Sequence, residues 1–159
     1  MSLDTPDPQQ IDGSGLRIAI IAACYNKAFV DALVREARKT IEASGAPSPA
    51  IERVPGSAEL PCAAALLGSD GAFDAIIALG VVIAGDTEHH KVIGSSTVAA
   101  LQTLGIREKL PVINGILVVE NTEQAKARAG KEINRGREFA LAALEMARLK
   151  QKWTTKKQN

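Results

Sequence analysis

The chain has 159 residues, 46% of them hydrophobic and 23% charged, with 19 basic against 18 acidic side chains and a formal net charge of +1. That is the composition of a single soluble globular domain, and its near-neutral balance favours no nucleic acid or other polyanion as partner. Aromatics at 3% are too few for base-stacking surfaces, no run of about 18 apolar residues offers a membrane span, and two cysteines outside metal-ligand spacing fit reduced thiols in a cytoplasm.

Residues 1–15, MSLDTPDPQQIDGSG, are polar and rich in proline and glycine, which reads as a flexible arm rather than a secretion signal. LRIAIIAA (16–23) is a short, β-branched apolar run, the pattern of a strand buried on both faces. AFVDALVREARKTIEASG puts Phe29, Leu33, Val34, Ala37 and Ile41 on one helical face and stops at Gly45. AIERV is a second strand, broken by Pro55-Gly56, and SAELPCAAALLG a helix with Pro61 in its first turn. FDAIIALGVVI is a third strand, Glu88 to Leu104 a third helix and LPVINGILVV a fourth strand. NTEQAKARAG opens a short helix from an Asn121 or Thr122 cap, and GREFALAALEMARLKQK closes the domain as a long amphipathic helix. One domain over residues 16–152 is expected, with residues 153–159 a basic tail and KQKWTTKKQN read as a solvated helix end.

Strands alternating with helices at this spacing predict right-handed crossovers and a parallel sheet covered on both faces. Ligands in such sheets bind at the carboxyl ends of the strands. The segments placed there carry the polar residues of interest. Gly85, Asp86 and Thr87 precede the third helix, where N–H groups suit an anion, although Asp86 or Thr87 serves equally as an N-cap. His89 and His90, the only histidines, fall in that helix's first turn as proton carriers or as a surface pair. Tyr25, the only tyrosine, directly follows the first strand beside Asn26, to stack on a planar ring or to pack in the core. Glu59 either caps its helix or accepts from hydroxyl groups. Arg128, Lys131 and Arg135 suit an anion or stand as solvated charges.

Four segments, VPGSAELP, ALGVVIAGDTEHH, ENTEQAKARAG and NRGREFALAALEMARL, occur in an order and spacing that resembles the 6,7-dimethyl-8-ribityllumazine synthase family of riboflavin biosynthesis, from about Arg17 to Leu149. The resemblance implies a flavodoxin-like sandwich with a four-stranded parallel sheet, order 2-1-3-4, and an enzyme joining 5-amino-6-(D-ribitylamino)uracil to 3,4-dihydroxy-2-butanone 4-phosphate, with release of phosphate and water and no metal or cofactor. It gives Tyr25 and Asn26 to the pyrimidine, Ser57 and Glu59 to the ribityl chain, and the Val82-Ile83 backbone to the pyrimidine edge. Gly85, Asp86 and Thr87 match the phosphate turn, His89 the proton-transfer histidine and Arg128 the phosphate arginine. Arg135 matches a pocket lysine. The alternative is a diverged relative that binds a flavin or ribityl ligand, or forms a shell, without catalysis.

The chain departs from the family pattern at several places. Members commonly carry an aromatic where Ala58 and Asn114 stand, an arginine at Ala84 and an acid at Lys91. His90 replaces an aromatic and is read as a packing residue. The resemblance further implies a homopentamer in which Asn114, Arg128 and Arg135 face Tyr25, Glu59 and His89 of the adjacent chain, with riboflavin synthase as a candidate partner. RAGKEINRG is one residue shorter than the family's segment and has Ile133 where a glycine would permit a bend. A non-glycine residue resists positive φ, so pentamers are expected to predominate over a 60-subunit shell.

Overall fold

The computed structural model describes residues 11–86 and 89–155. Its elements in chain order are β1 (Ile18–Ala23), α1 (Lys27–Ala43), β2 (Ala50–Val54), a 3-10 turn at Ser57–Glu59, α2 (Leu60–Gly68), β3 (Ala75–Ile83), α3 (His89–Glu108), β4 (Val112–Val119), α4 (Thr122–Ala129) and α5 (Arg135–Thr155). The four strands are parallel, as the alternation predicts, and lie in the expected order β2-β1-β3-β4.

Every residue of β1 is buried, as an uninterrupted apolar run in a covered parallel sheet requires. Alternate residues send their side chains to opposite faces. Ile18, Ile20, Ile77, Leu79 and Val81 pack with α1, α4 and α5, while Ala19, Ile21, Ile76 and Ala78 pack with α2 and α3. The helices obey the same economy. Val30, Leu33, Val34, Ala37 and Ile41 form the buried stripe of α1, and Gly45 just past its end takes φ 86°.

Several boundaries differ from the sequence reading, each for a local reason. The helix expected from Ser57 begins as a 3-10 turn because Pro61 has no N–H to offer Ser57; Leu60 N–H closes onto the Ser57 carbonyl instead. Helix α3 passes Leu104 and runs to Glu108, because Gly105 packs close to the Leu110 carbonyl and Val112 rather than ending the helix. Helix α5 continues through Trp153–Thr155, past the expected domain boundary at 152 and into the segment read as a helix end. Asn121 is the cap of α4, its Oδ1 accepting from Gln124 N–H at 2.9 Å.

Residues 11–15, the end of the expected arm, are fastened to two helices. Gly13 N–H donates to Ser44 O at 2.8 Å, and Arg148 on α5 donates to the carbonyls of Asp12 and Ser14 at 2.7 and 2.9 Å. No helix among the described residues is long and apolar enough to cross a membrane.

What this topology does for a site is specific. The chain leaves β1 toward α1 on one face and approaches α3 from β3 on the other. Neighbouring strands whose connections diverge in this way leave a crevice between their carboxyl ends.

Candidate functional site

At that crevice β1 stops pairing early. Its last partner on β3 is Leu79, so residues 80–83 extend past β1 while β4 accompanies them to Ile83. Strand alternation then sorts the backbone groups. Ala84 N–H donates to Val119 O at 2.8 Å and Val81 O accepts from Asn26 Nδ2 at 2.8 Å. Even-numbered residues therefore address β4, and Ile83, like Val81, turns its N–H and C=O toward the β1 side. Of the two segment residues expected along a ligand's edge, Ile83 presents backbone groups to the crevice. Val82 spends its own on β4 and packs its side chain toward α2 and α3.

The β1–α1 corner supplies Tyr25 and Asn26. Asn26 is left-handed, φ 54°, a conformation asparagine tolerates better than most residues, and it caps α1 through its carbonyl rather than its side chain. Its amide reaches across to β3. Tyr25 is 73% exposed, so the core-packing alternative does not hold. The ring rests against Gly56: a Cβ built there would lie 3.3 Å from Tyr25 Cδ2 and 3.1 Å from Glu59 Oε2. Glu59, also exposed, accepts the Gly56 N–H at 2.8 Å, which orients one carboxylate oxygen and leaves the other outward. Ser57 is buried, its hydroxyl over Gly80 of β3, where an added Cβ would sit only 2.4 Å from Ser57 Oγ. Sequence reasoning passed over both glycines as surfaces; the P-G break after β2 marks Gly56, and Gly80 stands within an otherwise aliphatic strand.

Gly85 and Asp86 are exposed beyond β3, and a Cβ on Gly85 would meet nothing within 4 Å. Thr87 lies outside the described residues. His89 opens α3 and is exposed, whereas His90 is 8% exposed; successive residues of a helix point about 100° apart, which splits the pair between solvent and interior. The reading of the two histidines as a surface pair is thereby corrected.

The remaining candidates are not gathered here. Asn114 is half-buried early in β4, opposite Ala78, and its Oδ1 accepts from Ile116 N–H at 3.2 Å. Arg128 in the last turn of α4 donates to Gln124 O at 3.4 Å, and Arg135 at the start of α5 is ion-paired with Glu138. Among the described residues no hydrogen bond or ion pair joins these three to Tyr25, Glu59 or His89. The Arg135 Nε is buried without a hydrogen-bond partner. The α4–α5 bend takes its positive φ at Asn134 (φ 52°), not Ile133, and Asn134 is braced by Gly130 O and by Arg137 N–H, at 2.9 and 3.1 Å. Ile133 therefore resists nothing, and the argument drawn from it against a shell falls.

A groove of about 860 Å³ lies elsewhere, between the ends of α3 and α5 and the start of β4, lined by Leu101, Ile106, Leu110, Met146, Leu149 and Trp153. None of the candidate residues lines it.

Comparison with known proteins bears on the strand-end site. Residues 15–151 match the model of the family described as 6,7-dimethyl-8-ribityllumazine synthase. Proteins of that name are similar over most of the chain: one from Thermococcus onnurineus is 38% identical over 143 residues, covering 90% of this chain and 94% of its own. One from Xanthomonas oryzae pv. oryzae is 43% identical over 136 residues, 84% and 88% of the two chains. Another, from Kineococcus radiotolerans, is 42% identical over 148 residues, 91% of each.

Proposed function

The chain belongs to the 6,7-dimethyl-8-ribityllumazine synthase family and is an enzyme of riboflavin biosynthesis; from that premise we propose that its reaction runs at the carboxyl ends of β1 and β3, in a pocket that a second copy of the chain completes. The reaction joins 5-amino-6-(D-ribitylamino)uracil to 3,4-dihydroxy-2-butanone 4-phosphate. An amine attacks the ketone to form an imine with loss of water, phosphate leaves by elimination, the enol tautomerises to a ketone, and the second amine closes the ring on it with loss of a second water. Each step moves a proton, and all require the two substrates to be held together.

In this reading Tyr25 stacks on the pyrimidine and the outward oxygen of Glu59, with Ser57, accepts ribityl hydroxyls. The Ile83 backbone matches the pyrimidine's polar edge. Gly85, Asp86 and Thr87 form the phosphate turn, and exposed His89 carries protons between solvent and the reacting atoms. Arg128 and Arg135 come from the neighbouring chain, with Asn114 beside the ring. Proximity and orientation can lower a barrier by about 7–11 kcal/mol, whereas acid–base help is worth about 10²–10⁴-fold. Positioning therefore dominates.

The observation that carries this reading is the exposed Tyr25 ring leaning on Gly56 beside the Glu59 carboxylate. An aromatic so little covered by its own chain, next to an oriented acid and turned-out strand backbone, suits a planar polar ligand. The separation of Asn114, Arg128 and Arg135 from that cluster supports a site shared between copies. A head-to-tail contact of this kind closes into a ring, and a homopentamer working in the cytoplasm is proposed, with riboflavin synthase as the consumer of its product.

The test is to mix the purified chain with both substrates and follow the lumazine chromophore. Formation faster than in the protein-free mixture is expected. Tight binding of the pyrimidine with no acceleration would overturn the catalytic reading in favour of a ligand-binding relative.

A further inference from the structure

We propose that Asn26 is a positioning residue that acts on the pyrimidine through Tyr25, by tying the β1–α1 corner to β3 across the crevice; the proposal rests on the functional reading above. Three features of one residue carry it. Its backbone is left-handed at φ 54°, so the chain turns sharply straight after Tyr25. Its side chain makes no cap to α1, although asparagine is among the best cap formers. Its Nδ2 instead donates at 2.8 Å to Val81 O, on the far side of the crevice, in a half-buried bond.

The location gives the bond its purpose. Beyond the Ala22–Leu79 pair the sheet no longer joins β1 to β3. Cys24 N–H is held by Val54 O at 2.9 Å on the β2 side, and Asn26 by Val81 on the β3 side. Tyr25 therefore sits between two anchors, one on each neighbouring strand. With Tyr25 73% exposed, the ring has little packing to hold it, and its aim over Gly56 is set by the backbone beneath. The bond to Val81 fixes the amide and, with it, the backbone under the neighbouring ring, so the contribution assigned here to Asn26 passes through Tyr25.

Two variants separate the parts. Asn26→Gly keeps the left-handed turn and loses the tether; Asn26→Asp keeps size and tolerance of that turn but sets a carboxylate against the Val81 carbonyl. Because the chain has a single tyrosine, ¹³C-labelled tyrosine gives one ring signal to follow by NMR without substrate. Both variants are expected to move that signal toward its unfolded position while the protein stays folded, and to raise KM for the pyrimidine about 3–10-fold, the scale of one lost hydrogen bond. KM for the phosphorylated ketone stays put. In a Tyr25→Ala background, Asn26→Asp is expected to add nothing, since its route of action is gone. Full additivity there, or a tyrosine signal unmoved in Asn26→Gly, would overturn the proposal. Absence of turnover in the unaltered chain would instead reject the functional reading, and the substrate-free NMR result would still decide the tether.

Discussion

Replacing Gly80 by alanine tests how the ribityl end of the site is built. Gly80 lies in β3 with an ordinary backbone conformation, so alanine meets no φ penalty and the cost is packing alone. The new Cβ would sit 2.4 Å from Ser57 Oγ, 3.3 Å from Ser57 Cβ and 3.4 Å from Leu60 Cδ1. The first distance falls about 1 Å short of an ordinary contact. Ser57 is buried and starts the turn that carries Glu59, so it cannot swing aside alone. Overpacking of this kind costs about 1–3 kcal/mol, and with about 2–4 °C lost per kcal/mol in a chain of this size the melting temperature should fall by about 2–12 °C. KM for the pyrimidine should rise as Glu59 shifts. Ser57→Gly in the same chain removes both close atoms and should recover at least half the loss. Thermal unfolding at one protein concentration reads all of this. A Gly80→Ala melting temperature equal to that of the unaltered chain, or a double variant no better than the sum of its parts, would refute the packing argument.

Substitution of His89 by alanine should slow turnover about 10–100-fold, the low end of acid–base effects; His90→Ala should chiefly lower the melting temperature, because its ring is interior. Steady-state kinetics giving His90→Ala the larger loss of kcat would reverse the assignment. Arg128→Ala should weaken KM for the phosphorylated ketone by about tenfold or more, the worth of a charge-assisted contact, while KM for the pyrimidine holds. The hydrogen bond from Lys27, reinforced by Arg53, holds the Asp31 carboxyl below its usual range against the opposing effect of desolvation. A depressed carboxylate stabilises the fold above its unfolded pKa and loses that effect as pH falls through its folded one. The difference in urea midpoint between the unaltered chain and Asp31→Asn should accordingly be present at neutral pH and fade below about pH 4.

How far the structure is legible in the sequence varies with the range of the interaction responsible. The uninterrupted apolar run at 16–23 declares a covered central strand because burial on both faces is a property of the run itself, and the alternation of elements carries the parallel direction of the strands with it, whereas their order comes from the family resemblance. Adjacency of His89 and His90 says nothing of which one faces solvent; the phase of α3 decides that. The break between the 3-10 turn and α2 was readable from Pro61, whose missing N–H is a local fact. The Asn26–Val81 bond and the seat of Ser57 over Gly80 join residues far apart in the chain, and no local pattern announces them. The bend before α5 takes its left-handed residue at Asn134 rather than Ile133, and asparagine, which tolerates that conformation, is the local signal for it.

The claim that two chains build one site is tested most directly by mixing chains that each lack a different half. Tyr25→Ala/His89→Ala chains and Arg128→Ala chains are unfolded together in equal amounts, refolded and assayed with both substrates. Random assembly into a closed ring places two intact halves at about one site in four, so with the phosphorylated ketone kept well below its KM, activity near a quarter of the unaltered enzyme is expected from parents that each retain about a tenth or less. A mixture that never exceeds the average of its parents would contradict a shared site.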